Sequence, residues 1–256
     1  MRGPVFSLNS HRQVVSLLQK PDPVILDIGC NDGTDTRRFL RLCPKAKFYC
    51  FEPDPRAAAR FKKDMNLYMD KVKLFEIALS NRNGEIDFHP SNGEGSAKEW
   101  DQSGSIRRPK NHLVEHDWVR FDGPISVATR TLDAWSSEAN LNKIDFICMD
   151  VRADESDVIA APRQTLSNTR FIYTETATKN SVSAVAPCEP FLIPCLRSEV
   201  VPPCPTRSGG DVLLRNTSLY NRLPLLSCCS PPSSIGESIS GWIGVRELLC
   251  RVRTST

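Results

Sequence analysis

No stretch of this 256-residue sequence approaches the about 18–20 consecutive apolar residues that a membrane-spanning helix needs. The opening "MRGPVFSLNSHRQVVSLLQK" lacks the apolar core of a secretory signal. A cytoplasmic protein without membrane association is therefore expected. Charge of one sign is also scarce. The net excess is only +3, too little to argue for a nucleic-acid partner or an acidic membrane surface. There are 10 cysteines but no C-x-x-C pair, and six of the ten follow residue 187. Without a secretory segment they are expected as free thiols, and their spacing does not match a zinc site. The G-x-G-x-x-G fingerprint of dinucleotide-binding folds is absent too, which disfavours an NAD-dependent oxidoreductase.

What is present is an alternation. After a short amphipathic helix pattern at residues 11–20, closed by Pro21 and Pro23, "PVILDIG" reads as a buried strand and "TDTRRFLRLC" as a helix stopped by Pro44. "AKFYCFE" is a second strand, "PRAAARFKKDMNLYM" a helix with Pro55 in its first turn, and "VKLFEIALS" a third strand. Such alternation predicts βαβ units and a mostly parallel, doubly wound sheet. The rhythm breaks at "NRNGEIDFHP", a strand-like stretch with a turn signal at Asn83-Gly84. Residues 91–112 are polar, carry Trp100, Arg107 and Arg108, and have the length of a lid or binding loop. "PISVATRTLDAW", "KIDFICMDV" and "TRFIYTE" supply further strands, with Pro162 interrupting the helix between the last two.

Residues 1–180 are thus expected to form one domain, and 181–256 an irregular, Pro/Ser/Cys-rich tail. Lys179 is the last lysine, and the tail holds 9 of the 19 prolines and 12 serines. Only "GDVLLRN", near 210–216, looks like a strand there.

The candidate site follows the first strand. "VILDIGCNDG" runs from buried apolar chain into Asp27, Gly29, Asn31, Asp32 and Gly33. Ligands of doubly wound sheets bind beyond the carboxyl ends of strands, where glycines let the backbone approach and helix amides are free. Two carboxylates disfavour a pyrophosphate. D-x-G-x-N-x-G suits a ligand with an ammonium group and a ribose, as S-adenosylmethionine has. Glu52, ending the second strand, is placed to accept from a ribose diol, and Ala78 of "ALSN" to flank an adenine. Taken singly, each is an ordinary turn or strand-end residue; together they sit on three consecutive strand ends.

In order along the chain, "VILDIGCNDGTDTRRFL", "FYCFEPDP", "VKLFEIALSNRNGEIDFH", "TRTLDAW" and "IDFICMDVRADESDVIA" resemble FkbM-type S-adenosylmethionine-dependent methyltransferases over about residues 20–176. The resemblance implies the α/β, Rossmann-like sheet of class I methyltransferases, with a hairpin or loop insertion after the third strand. It implies O-methylation of a hydroxyl on a small molecule or sugar. No metal triad is apparent in the sequence, so metal-independent transfer is expected. It assigns Asp27, Gly29, Asp32 and Gly33 to the methionine end, Glu52 to the ribose, Ala78 to the adenine, and Asp150 to a place beside the transferring methyl. As an acid at a strand end Asp150 is the candidate base, or else a carboxylate held by the amides of a helix start. His89, His112 and His116 are alternative bases. Trp100 and Arg107 are candidates for holding the acceptor, or for anchoring their own loop. The chain departs from the family's I-D-x-E/Q-G-x-E: Cys148 stands where a lysine is usual, Arg152 and Ala153 replace the acid or amide and the glycine, and Asp150 and Glu155 keep their types. These departures leave a second expectation open, a catalytically impaired cofactor-binding or interaction module of the same fold.

Overall fold

The computed structural model describes residues 8–94, 100–108, 118–151, 155–160, 164–176, 198–201, 210–216 and 219. A helix α1 (Leu8–Leu18) leads into β1 (Val24–Ile28), α2 (Thr34–Leu42), β2 (Lys47–Phe51), α3 (Pro55–Asp64) and β3 (Val72–Phe75). After the insertion come α4 (Leu132–Glu138), β9 (Ile144–Met149), α5 (Glu155–Ala160), α6 (Gln164–Ser167) and β10 (Thr169–Thr176), then β11 (Ser198–Val201) and β12 (Gly210–Asn216). The seven-stranded sheet runs β11-β12-β10-β9-β1-β2-β3. Neighbours from β10 to β3 are parallel, and β12 is antiparallel to both β10 and β11. This is the strand order of class I methyltransferases, and β1 lies at the switch point, between β2 and β9.

Both faces of the central strands are covered, so their sequences read as nearly continuous apolar runs. All six residues of β9 are buried. Alternate residues feed two cores: Ile25, Phe48 and Phe146 pack with Phe39 of α2 and Phe61 of α3, while Leu26, Phe51 and Ile147 pack with Leu132 and Trp135 of α4. Asp27 falls in the first row. Its register neighbours are Cys50 on β2 and Cys148 on β9. The four cysteines among the described residues, Cys30, Cys43, Cys50 and Cys148, are buried free thiols.

The helices begin where the chain offers caps. Asp54 accepts from the Arg56 N–H at 2.9 Å with Pro55 in the first turn of α3, and Thr131 accepts from Ala134 at 3.2 Å to start α4. At the other end of the molecule Asn216, the last residue of β12, donates its side-chain amide to Ser167 and Thr169 carbonyls, both at 3.0 Å, closing the end of α6.

Two features differ from the sequence reading. "VKLFEIALS" is not one strand. It breaks after Phe75, and β4 (Ala78–Leu79) leaves the main sheet to pair with β8 (Ile125–Arg130), which also carries β5 (Gly84–Phe88) on its other side. Asn83-Gly84 therefore turns the chain around an intervening strand. In the tail, β11 is an edge strand that the Pro-rich text gave no sign of; four residues are too few to show a period. Elsewhere in the insertion, β6 (Ser91–Gly93) and β7 (Val119–Phe121) form an antiparallel pair, and His89 bridges Ser105.

Candidate active site

A cavity of about 310 Å³ opens at the carboxyl ends of β1, β2 and β9. Its floor is the turn after β1. Gly29 has φ 84, and a Cβ there would lie 2.1 Å from the Asp150 carbonyl oxygen. Only glycine lets the β1 and β9 ends approach this closely. Asn31 also adopts a left-handed conformation, φ 46, which asparagine tolerates better than most residues. Asp32 closes a side-chain turn by accepting from Thr34 N–H at 2.9 Å. Gly33, φ 78, precedes α2; a Cβ there would lie 2.8 Å from the Phe61 ring. Gly33 does not line the cavity; it seats the turn against α3.

Two buried carboxyls dominate the electrostatics. Asp27, 6% exposed, accepts from the Thr36 hydroxyl. Burial pushes its pKa up to about 7; the Thr36 bond opposes this, and the charge of Asp35 adds to it. Glu52, 7% exposed, accepts from the backbone N–H groups of Asp54 and Asn31, each at 2.9 Å. Burial again prevails over these bonds, and with Asp54 and Asp101 nearby its pKa rises to about 8. Cys30, in the same wall, has its thiol raised well above the usual range, first by burial and then by Cys50.

The other expected residues divide. Asn31, Asp32, Ala78 and Asp150 line the cavity. Ala78 does so from β4 and not from the third strand of the main sheet. Trp100 and Arg107, expected at the acceptor, do not line it. The Trp100 indole donates to Ser103 at 3.0 Å and meets Trp118 nearly edge-on at 5.0 Å. Arg107 binds Asp157 at 2.8 Å and Ser156 at 3.1 Å, tying the insertion to α5. His89 is buried beside Ser105 and also lies off the lining, while His112, His116, Arg152, Ala153 and Pro162 fall outside the described residues.

Residues that the sequence reading passed over complete the wall. Asp35 and Arg38 pair at 3.0 Å at the start of α2, with His11 3.3 Å from Asp35. An acid and a base three apart in a first helical turn was the available signal. Asp101, Gln102, Gly104, Ser105 and Ile106 arrive from the insertion. Gly104 allows this, since a Cβ there would meet Phe88 at 2.4 Å. The lining thus carries six carboxyls (Asp27, Asp32, Asp35, Glu52, Asp101 and Asp150) against one guanidinium, Arg38. Such a cavity favours a cation. Among the described residues, no group of three or more His, Cys, Asp or Glu side chains is arranged to hold a metal ion, and no helix is long and apolar enough to cross a membrane.

The sequence model of the family described as "Methyltransferase FkbM domain" matches residues 27–185. The chain belongs to the FkbM methyltransferase family. A second comparison agrees: this FkbM-type chain is 61% identical over 219 residues to the 2-O-methyltransferase NoeI of Sinorhizobium fredii (strain NBRC 101917 / NGR234), covering 86% of this chain and 90% of that protein. Among solved structures it is similar to the methyltransferase FkbM of Methylobacillus flagellatus KT (TM-score 0.40, 11% identity, 60% of this chain and 33% of that one). It is also similar to the precorrin-6y C5,15-methyltransferase of Geobacter metallireducens GS-15 (TM-score 0.40, 12% identity, 84% of this chain and 89% of that one).

Proposed function

We propose that this FkbM-type methyltransferase uses S-adenosylmethionine to methylate a hydroxyl oxygen of a small molecule or sugar. The observation that carries the cofactor is the wall made by Asp27, Gly29 and Glu52. Gly29 lets the ends of β1 and β9 close up beneath the cavity, Glu52 presents a buried carboxyl at a strand end, and six carboxyls outnumber one guanidinium. The donor set fits a ligand with a ribose diol and a positive sulfonium centre. S-adenosylmethionine supplies an electrophilic methyl on that sulfonium.

The chain's own residues would act as follows. Glu52 accepts from the ribose hydroxyls, Ala78 flanks the adenine, and Asp27, Gly29, Asn31 and Asp32 shape the methionine end, with Gly33 seating that turn from behind and Arg38 and Asp35 offering opposite charges to the amino-acid group. Asp150 accepts the proton of the acceptor hydroxyl as the oxygen becomes nucleophilic. The insertion residues Gln102, Ser105 and Ile106 enclose the acceptor, and Trp100 and Arg107 hold that segment in place.

The family resemblance and the 61%-identical 2-O-methyltransferase relative support a hydroxyl acceptor. The test is transfer of a radiolabelled methyl to sugar, phenolic and fatty-acid hydroxyl acceptors, with label on a sugar or other small-molecule hydroxyl expected. Glu52→Ala should weaken S-adenosylhomocysteine binding by about 1–3 kcal/mol, the scale of charged hydrogen bonds. Unchanged calorimetric affinity would refute that assignment. One observation favours the second reading, a cofactor-binding module with impaired turnover: Cys148, in register with Asp27, puts a thiol where the resemblance expects a lysine. Bound cofactor with no transfer to any acceptor would select it.

A further inference from the structure

Asp101 belongs to none of the motifs that build the cofactor wall, yet its carboxylate is 8% exposed within it. Arg60 of α3 donates to one oxygen, and the Asn31 side-chain amide to the other at 3.3 Å. The Asn31 backbone N–H in turn donates to Glu52 at 2.9 Å. Asn31 holds φ 46, uncommon for a residue other than glycine, and its bond to Asp101 joins the Cys30 and Gly33 backbone bonds on either side in keeping its N–H aimed at Glu52. The chain Arg60–Asp101–Asn31–Glu52 therefore runs from the insertion and α3 to the ribose-binding acid.

We propose that Asp101, paired with Arg60, is a positioning residue for Glu52, acting through Asn31 and through the balance of charge between Asp101 and Arg60. The inference rests on reading Glu52 as the ribose acid. Other charged or titratable groups face the same space. Asp54 at the start of α3 is clasped by Arg56 at 2.6 Å. Cys30 and Asp32 stand in the turn after β1, Asp27 on β1, Asp35 and Arg38 on α2, and Asp150 beyond β9. Asp101 and Arg60 are distinctive because either charge can be removed without touching the motif that forms the wall. Asp101 is also one of the charges that raise the Glu52 pKa, after burial and Asp54.

Two variants of the full chain test this in opposite directions. Asp101→Asn keeps an oxygen for Asn31 but leaves the Arg60 charge unopposed; Arg60→Gln leaves the Asp101 charge unopposed. The Glu52 carboxyl is followed by carbon-13 NMR against pH in ligand-free protein, its resonance identified by its loss in Glu52→Gln. The midpoint should move down in Asp101→Asn and up in Arg60→Gln, each by about half a pH unit or more. The pH at which calorimetric affinity for S-adenosylhomocysteine changes should move the same way. A contact that only anchors the insertion would weaken binding at every pH and leave both midpoints in place. Unmoved midpoints, or movement in one direction in both variants, would overturn the proposal. Failure of the unmutated chain to bind S-adenosylhomocysteine would count against the cofactor reading, while the ligand-free titration would still decide the role of Asp101.

Discussion

The two halves of the cavity are held by different means. On the β1–β2 side almost every polar backbone group is tied locally: Gly29 and Cys30 donate to the Phe51 carbonyl at 3.0 and 3.1 Å, Gly33 to Cys30 at 2.9 Å, and Asn31 and Asp54 to Glu52. On the β9 and insertion side, Asp150 has a backbone bond to Ile28 at 3.0 Å, and the wall is finished by a segment fixed by the His89–Ser105 backbone bridge and, beyond it, by the distant side-chain pairs Arg60–Asp101 and Arg107–Asp157. Backbone-tied walls resist change, since each substitution disturbs several bonds. Walls hung on side-chain pairs can be re-lined without remaking the fold. On the proposed function, this division would seat the methyl donor against the first wall and leave the second to suit the acceptor.

The most damaging way to break the contrast is Gly29→Ala. A Cβ would clash with the Asp150 carbonyl at a φ of 84, so both halves would be forced apart. Loss of cofactor binding and of at least about 2–4 kcal/mol of stability is expected in calorimetry and urea unfolding.

Next come the buried acids. Asp27 and Glu52 have folded pKa values of about 7 and about 8, raised from 3.8 and 4.5. The folded chain therefore binds more protons than the unfolded chain between those limits. Their contribution to stability is full below pH about 4 and is lost as pH rises through about 7 and about 8. In ligand-free protein, Asp27→Asn and Glu52→Gln should thus raise stability at pH 8.5 relative to pH 5, each by on the order of 3 kcal/mol at most. A flat difference across that range would show the acids to be ionised at no cost.

Cys148→Lys sharpens the contrast from the other side. An ammonium one strand over from Asp27, in register with it, should pull the Asp27 pKa down, seen as a shift in the same stability profile. Combined with Ala153→Gly it should raise methyl transfer if misplaced geometry limits the reaction; an error of ~1 Å can cost about a hundredfold. Equal, vigorous activity with and without the two changes would show the departures to be harmless. The smallest effect is expected of Arg107→Ala. Its pair with Asp157 is partly exposed, at 37% and 27% for the two side chains, so a loss of about 0.5–1 kcal/mol is expected. A large rise in KM for an anionic acceptor would instead make Arg107 a ligand.

The same division governs what the sequence disclosed. β1, α2, β2 and α3 could be read from apolar runs, Pro55 and the glycines because their determinants lie within a few residues of one another. The floor of the cavity was legible for the same reason. The break at Glu76–Ile77 was not, since whether Ala78 continues β3 or joins β8 depends on a strand some fifty residues later. Asp101 was hidden because its partners are Arg60 and Asn31, a pairing that leaves no period in the text. Trp100 and Arg107 were singled out for their chemistry, yet they spend it on Ser103, Trp118 and Asp157.

Trp135 has a use of a different kind. Its indole N–H is buried and finds no hydrogen-bond acceptor among the described residues, and its ring stands nearly perpendicular to Phe51 at 4.8 Å and Phe75 at 5.3 Å. Phe51 lines the cavity. One ring therefore separates the fluorophore from whatever enters, and a ligand that presses on Phe51 alters the packing that sets Trp135 emission. With Trp100, Trp118 and Trp242 changed to phenylalanine, the intensity and wavelength of Trp135 would become a built-in optical gauge of cavity occupancy, readable in a stopped-flow cell without any label.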